Sequence, residues 1–139
     1  MEGPPDILSE SPHKGVTGLK RIFRAAVNSF AGLAMAWRVE SAFRQELVVA
    51  VVLIPLALLI PVTPVERVLL IGSVLLVLII ELLNSSVEAA IDRISLDHHR
   101  LSKRAKDLGS AAVLIALLLL ALTWWLVAWP ALGAWLGSR

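Results

Sequence analysis

The chain has 139 residues, enough for one domain at most, and a net charge of +2 at pH 7. With 58% hydrophobic and 17% charged residues and a mean hydropathy of +0.80, it is composed for a membrane rather than for a water-soluble core. The absence of cysteine excludes disulfides, cysteine nucleophiles and thiolate metal sites; the basic residues flank apolar runs and form no tract of the kind nucleic acid would need.

Residues 1–15, rich in Pro, Gly and Ser, read as a disordered lead-in, and their acidic start lacks the basic-then-apolar order of a signal peptide. A single domain is expected over 16–139. From Thr17, a suitable N-cap, Leu19, Ile22, Phe23, Ala26, Val27, Phe30, Leu33, Ala34 and Trp37 recur at helical spacing, while Lys20, Arg21, Arg24 and Asn28 fall elsewhere. This pattern predicts an amphipathic helix over 17–38 that lies in the membrane interface.

Residues 47–65 carry no charge over nineteen positions, enough at about 1.5 Å each to cross a ~30 Å hydrocarbon core. Pro55 should kink this span or leave a carbonyl for a neighbour to satisfy, and Pro61 and Pro64 mark an exit turn. Spans are predicted at about 44–62, 65–91 and 105–129, with a basic loop over 93–106 and Trp124, Trp125, Trp129 and Trp135 as an aromatic belt at the far end. Lys and Arg number six in residues 1–46 and five in the loop, against one near position 67 and one at the C-terminal end, so the N-terminus and loop are expected in the cytoplasm.

Glu81, Asn84 or Ser85, Glu88 and Asp92 fall three or four residues apart, one polar stripe on a helix that begins after thirteen uncharged residues. A carboxylate at bilayer depth is costly, roughly 2.5 to 3.5 kcal/mol on insertion scales, so Glu81 is expected to face protein and to bind ions or do chemistry. Glu88 and Asp92 admit a plainer reading as solvated residues of a helix end. Two further clusters, residues 40–46 and residues 105–113, bring acids near bases at the same membrane face. Carboxylates with Lys and Arg suit phosphoryl transfer with Mg²⁺, and the depth of Glu81 suits a general base acting on a lipid hydroxyl. Glu40 with Arg44 could equally be a surface pair, Lys106 and Asp107 a headgroup anchor, and the adjacent His98 and His99 a solvated loop. P-loop, protein-kinase, G-x-S-x-G and zinc motifs are absent from the sequence.

The two motifs Glu81-x-x-Asn84-Ser85-x-x-Glu88-x-x-x-Asp92 and Ala105-Lys106-Asp107-x-x-Ser110-Ala111-Ala112-Val113, in this order, resemble the small prokaryotic integral-membrane diacylglycerol kinases over about residues 18–125. The resemblance implies an all-α integral membrane homotrimer of three-span subunits, each with a surface helix and with active sites shared between subunits. It implies transfer of the γ-phosphate of MgATP to diacylglycerol in the bacterial inner membrane, at the cytoplasmic face.

Carried over by position, Glu81 and Asn84 are the catalytic residues, Glu81 as general base and Asn84 in support of the metal centre. Glu40 and Glu88 hold Mg²⁺ on ATP. Arg21, Asn28, Asp97, His98, His99, Lys106 and Asp107 meet the nucleotide, with Asn28 standing where a relative carries an aromatic. Ala42, Phe43, Arg44, Gln45, Glu46 and Ser110 line the lipid entrance. Within the family Glu40-x-Ala42-Phe43-Arg44-Gln45-Glu46 favours diacylglycerol over undecaprenol; the alternative of another class is a non-enzymatic membrane protein with a carboxylate ion site.

Overall fold

The computed structural model describes residues 18–94 and 99–137; the lead-in, Thr17, Asp97 and His98 lie outside the described residues. Helices make up the described chain: α1 (Leu19–Val39), α2 (Ser41–Leu59), α3 (Pro64–Ile94), α4 (Arg100–Thr123), a π-helical turn (Trp124–Ala128) and α5 (Trp129–Gly137). Three are long and apolar enough to cross a membrane: Ser41–Leu59, Pro64–Ile94 and the continuous Arg100–Gly137. The chain divides into two units, Met1–Met35 and Ala36–Arg139.

In the first unit, Gly18 takes φ +70°, a left-handed conformation that suits glycine, and accepts a 3.1 Å bond from Arg21 N–H as α1 begins. The side chains of residues 19–35 are exposed.

The second unit begins with the last turn of α1, which ends at Glu40 because that residue is extended (φ −98°, ψ 111°). Arg44 Nη1, one turn into α2, reaches back to the Trp37 and Arg38 carbonyls at 3.2 and 3.3 Å, groups that a helix C-terminus leaves unpaired. The turn between α2 and α3 is more heavily specified. Thr63-Pro64-Val65-Glu66 is a capping box: Thr63 N–H and Oγ1–H both donate to Glu66 Oε2 at 2.8 Å, and Glu66 N–H donates to Thr63 Oγ1 at 3.3 Å. Pro64 occupies the first helical position, where its missing N–H costs nothing.

Pro61 cannot donate to the Ala57 carbonyl one turn earlier, and Arg67 takes its place: Nε donates to Ala57 O at 3.1 Å and Nη2 to Ile60 O at 3.3 Å. Beneath these bonds Ala57, Ile60, Leu70 and Ala128 form a buried cluster, against which Leu56, Ile71 and Trp124 pack. Arg67→Leu keeps the apolar stem but leaves the Ala57 carbonyl without this donor and the Ile60 carbonyl with only Val62 N–H, a loss of about 2 kcal/mol for hydrogen bonds to a charged donor. The denaturant midpoint in micelles should fall accordingly, while the site at the opposite end of the helices keeps its turnover; an unchanged midpoint would show the guanidinium to be dispensable.

The third long helix does not stop at Pro130. Its π turn supplies the adjustment: Trp129 N–H bonds five residues back to Trp124 O, so the ladder is widened just ahead of the proline ring. Trp124 turns inward, its Nε1–H donating to Leu70 O at 3.3 Å, whereas Trp125 and Trp129 are exposed and stack at 5.6 Å. The aromatic belt expected of the four tryptophans therefore loses Trp124 to packing.

Candidate active site

The buried residues of α3 are Leu70, Ser73, Val74, Val77 and Glu81, a single helical face on which Glu81 continues an apolar stripe. Glu81 is only 4% exposed. Ser73, the other buried polar residue of this face, satisfies itself by donating to Leu70 O at 2.8 Å. Beyond Glu81 the stripe opens by degrees, with Asn84 and Glu88 half-buried and Asp92 exposed. Burial alone thus separates the one carboxylate that must face protein from those that reach solvent.

Glu81 does not stand by itself. The charges of Glu40 and Glu88 act on it, and its own acts on Glu46, so four carboxylates from the start of α2 and the second half of α3 share one neighbourhood. Glu40 N-caps α2 with its backbone while its side chain makes no capping bond, which leaves the carboxylate available. Asn84 Nδ2 donates to Glu88 Oε1 at 3.2 Å and fixes that carboxylate in orientation. Among the described residues no three His, Asp or Glu side chains converge where they could together hold a metal. Glu88, oriented by Asn84, and the uncapped Glu40 carboxylate are hard oxygen donors of the kind Mg²⁺ takes one or two of, completing its shell with water and substrate phosphate.

An apolar cavity of about 380 Å³ opens beside the carboxylates, walled by Ala42, Gln45 and Glu46 of α2, Val74 and Val77 of α3, and Val113, Leu117 and Leu120 of α4. Glu46 Oε2 is buried there without a hydrogen-bond partner. Three of the six expected lipid-entrance residues, Ala42, Gln45 and Glu46, line this cavity. The others do not: Phe43 is buried in packing, Arg44 is engaged with the α1 carbonyls, and Ser110 is exposed. The valines and leucines of the wall were missed from sequence because an apolar residue on an apolar span carries no signal of which neighbour it faces.

At the open end, Lys106 Nζ pairs with Asp92 Oδ1 at 2.6 Å, tying the first turns of α4 to the last of α3, and Lys103 Nζ pairs with Asp107 Oδ2 at 2.5 Å. His99 N-caps α4, its Nδ1 accepting from Leu101 N–H at 3.2 Å, which leaves Nε2 to carry the proton of the neutral ring. His99, Arg100, Leu101 and Arg104 border a second cavity of about 460 Å³. Of the expected nucleotide residues, His99, Lys106 and Asp107 are therefore gathered at the start of α4. Arg21 and Asn28 are exposed on α1 in the other unit.

Comparison with known proteins gives concordant results. The family model described as prokaryotic diacylglycerol kinase matches residues 27–128. The chain is 55% identical over 117 residues to a diacylglycerol kinase of Pseudomonas aeruginosa, covering 84% of this chain and 95% of that one. It is 50% identical over 117 residues to a diacylglycerol kinase of Escherichia coli K12, covering 84% and 96%. A diacylglycerol kinase of Helicobacter pylori is 44% identical over 107 residues, covering 77% of this chain and 84% of its own length.

Proposed function

Because the chain belongs to the prokaryotic diacylglycerol kinase family, a membrane kinase family, we propose that it transfers the γ-phosphate of ATP to the primary hydroxyl of diacylglycerol and releases phosphatidic acid. The observation that carries the reading is the buried Glu81 carboxylate, set among Glu40, Glu46 and Glu88 next to a cavity with apolar walls. Acyl chains enter along the valine and leucine wall, and the glycerol end, held by Gln45 and Glu46, presents its hydroxyl to Glu81. Glu81 takes the hydroxyl proton as the oxygen attacks the γ-phosphorus, and the bond from that phosphorus to the β,γ-bridging oxygen breaks to release ADP.

Glu40 and Glu88 would hold Mg²⁺, which when bound neutralises charge on the nucleotide phosphates. Asn84 keeps Glu88 turned toward that position. Lys106, held by Asp92, places a cation beside the phosphates, and His99 and Asp107 stand at the same helix start; Arg21, Asn28, Asp97 and His98 complete the nucleotide contacts. Catalysis is by positioning and electrostatics, with direct transfer to the lipid and no phosphoenzyme.

The same reading makes the assembly a homotrimer in the bacterial inner membrane, with sites shared between subunits at the cytoplasmic face. It is supported by the exposed apolar side chains on all three long helices, among them Val51, Leu75 and Leu118, which need lipid or a neighbouring subunit against them. Helix α1, with Leu19, Phe23 and Phe30 exposed, lies in the interface. Transfer of labelled phosphate from MgATP in mixed micelles, with diacylglycerol and undecaprenol offered separately, tests the function. Labelling of diacylglycerol is the expected result; labelling of undecaprenol alone would transfer the chain to a different lipid acceptor, and labelling of neither would leave the carboxylates as an ion site.

A further inference from the structure

Gly109 marks a close approach of α4 to α3. Among the described glycines only Gly18 has positive φ, so backbone freedom does not account for a glycine at 109. What it provides is room. A Cβ placed there would overlap Asn84 Oδ1 and lie 3.3 Å from Asn84 Cγ. The other helical glycines described, Gly32, Gly72, Gly133 and Gly137, have no neighbour within 4 Å of such a Cβ, so the contact distinguishes Gly109 from every one of them.

The Asn84 amide is held from two sides. Its Nδ2 donates to Glu88 Oε1 at 3.2 Å, while its Oδ1 is buried, accepts no hydrogen bond and rests against the bare face of Gly109. Turning the amide over would set oxygen against a carboxylate oxygen, so the bond to Glu88 fixes which end faces the glycine. A buried carbonyl oxygen without a partner is costly to keep, and keeping it is the consequence of pointing the NH₂ at Glu88.

We propose that Gly109 is a positioning residue for phosphoryl transfer: by carrying no side chain it lets the Asn84 amide sit where it orients Glu88. The inference rests on the reading of Glu88 as a cation ligand. It has an unusual consequence for Gly109→Ala. The added methyl meets the tip of a flexible side chain and no backbone, so α3 and α4 can keep their places while Asn84 swings out and releases Glu88. Alanine is also the better helix former, so the fold gains where the site loses.

The test uses the full chain in mixed micelles, as wild type, Gly109→Ala, Asn84→Ala, the double variant and Glu88→Gln. Three quantities are read: the unfolding midpoint, the Mg²⁺ concentration giving half-maximal turnover, and Mn²⁺ binding in the presence of a non-hydrolysable ATP analogue, followed by electron paramagnetic resonance. Gly109→Ala should keep or raise the midpoint, yet weaken Mn²⁺ binding and raise the Mg²⁺ requirement about tenfold or more, as loss of a group that orients a metal ligand does. The double variant should be no worse than Asn84→Ala, because once the amide is gone the methyl has nothing to displace.

Mn²⁺ binding by Gly109→Ala equal to wild type, with Asn84→Ala impaired, would overturn the proposal, as would full multiplication of the two single effects in the double variant. Poor folding of Gly109→Ala that the double variant repairs would support it, whereas poor folding of both would make the glycine a packing residue only. If Glu88→Gln itself leaves Mn²⁺ binding intact, the failure lies in the assignment of Glu88, and the proposal falls with it.

Discussion

Glu81→Gln should lower the turnover number for lipid phosphorylation by about a thousandfold, within the 10²–10⁴ range that a positioned general base contributes. The substitution keeps the size and shape of a side chain that is 4% exposed, so it opens no cavity, and it removes one of four neighbouring carboxyl groups whose charges oppose one another. Stability should therefore hold or rise. The Michaelis constants for MgATP and diacylglycerol should change little, since a base acting on the proton in flight contributes to the transition state more than to substrate binding. The measurement is the rate of labelled phosphate transfer beside the unfolding midpoint of the same preparation. Turnover within tenfold of wild type by well-folded protein would sink the assignment of Glu81 as base and leave it as an electrostatic neighbour of the site.

The placement of Glu81 shows what periodicity can deliver. Spacing put Glu81, Asn84, Glu88 and Asp92 on one helical stripe, and the structure gives them on α3 with burial declining from the first to the last. The turn into that helix was equally open to reading, since Thr63-Pro64-Val65-Glu66 contains a cap, a proline at the first position and the returning glutamate in order. Local chemistry of this kind depends on residues a few positions apart, and sequence displays it directly.

Contacts between helices are a different matter. Lys106 with Asp92, Arg67 with the Ala57 carbonyl and Gly109 with Asn84 join residues 10 to 25 positions apart, and nothing in the spacing of either partner names the other. Arg44 is a further case: its place in a motif suggested a lipid headgroup, and no spacing signalled that its Nη1 also reaches the last carbonyls of α1. Pro130 misleads in the opposite sense. A proline after an apolar run suggests an end, yet a π turn one residue earlier lets the helix continue to Gly137.

Glu88→Gln should act on the cation and spare the fold. Glutamine retains a carbonyl oxygen that can still accept from Asn84 Nδ2, so the 3.2 Å contact survives and what disappears is a negative charge. The Lys106–Asp92 pair that ties α4 to α3 is untouched, which leaves the midpoint of unfolding near the wild-type value. With one of two carboxylate ligands gone, the Mg²⁺ concentration for half-maximal turnover should rise by about a hundredfold, in keeping with the dependence of Mg²⁺ sites on one or two carboxylates. Glu40→Gln should do the same from the other side of the site, because its side chain is free of capping bonds and its charge also acts on Glu81. Titrating Mg²⁺ at fixed ATP for each variant and for the pair separates the two roles: equal shifts that do not multiply would mean one ion shared by both carboxylates, and a wild-type Mg²⁺ dependence in Glu88→Gln would remove Glu88 from the metal site.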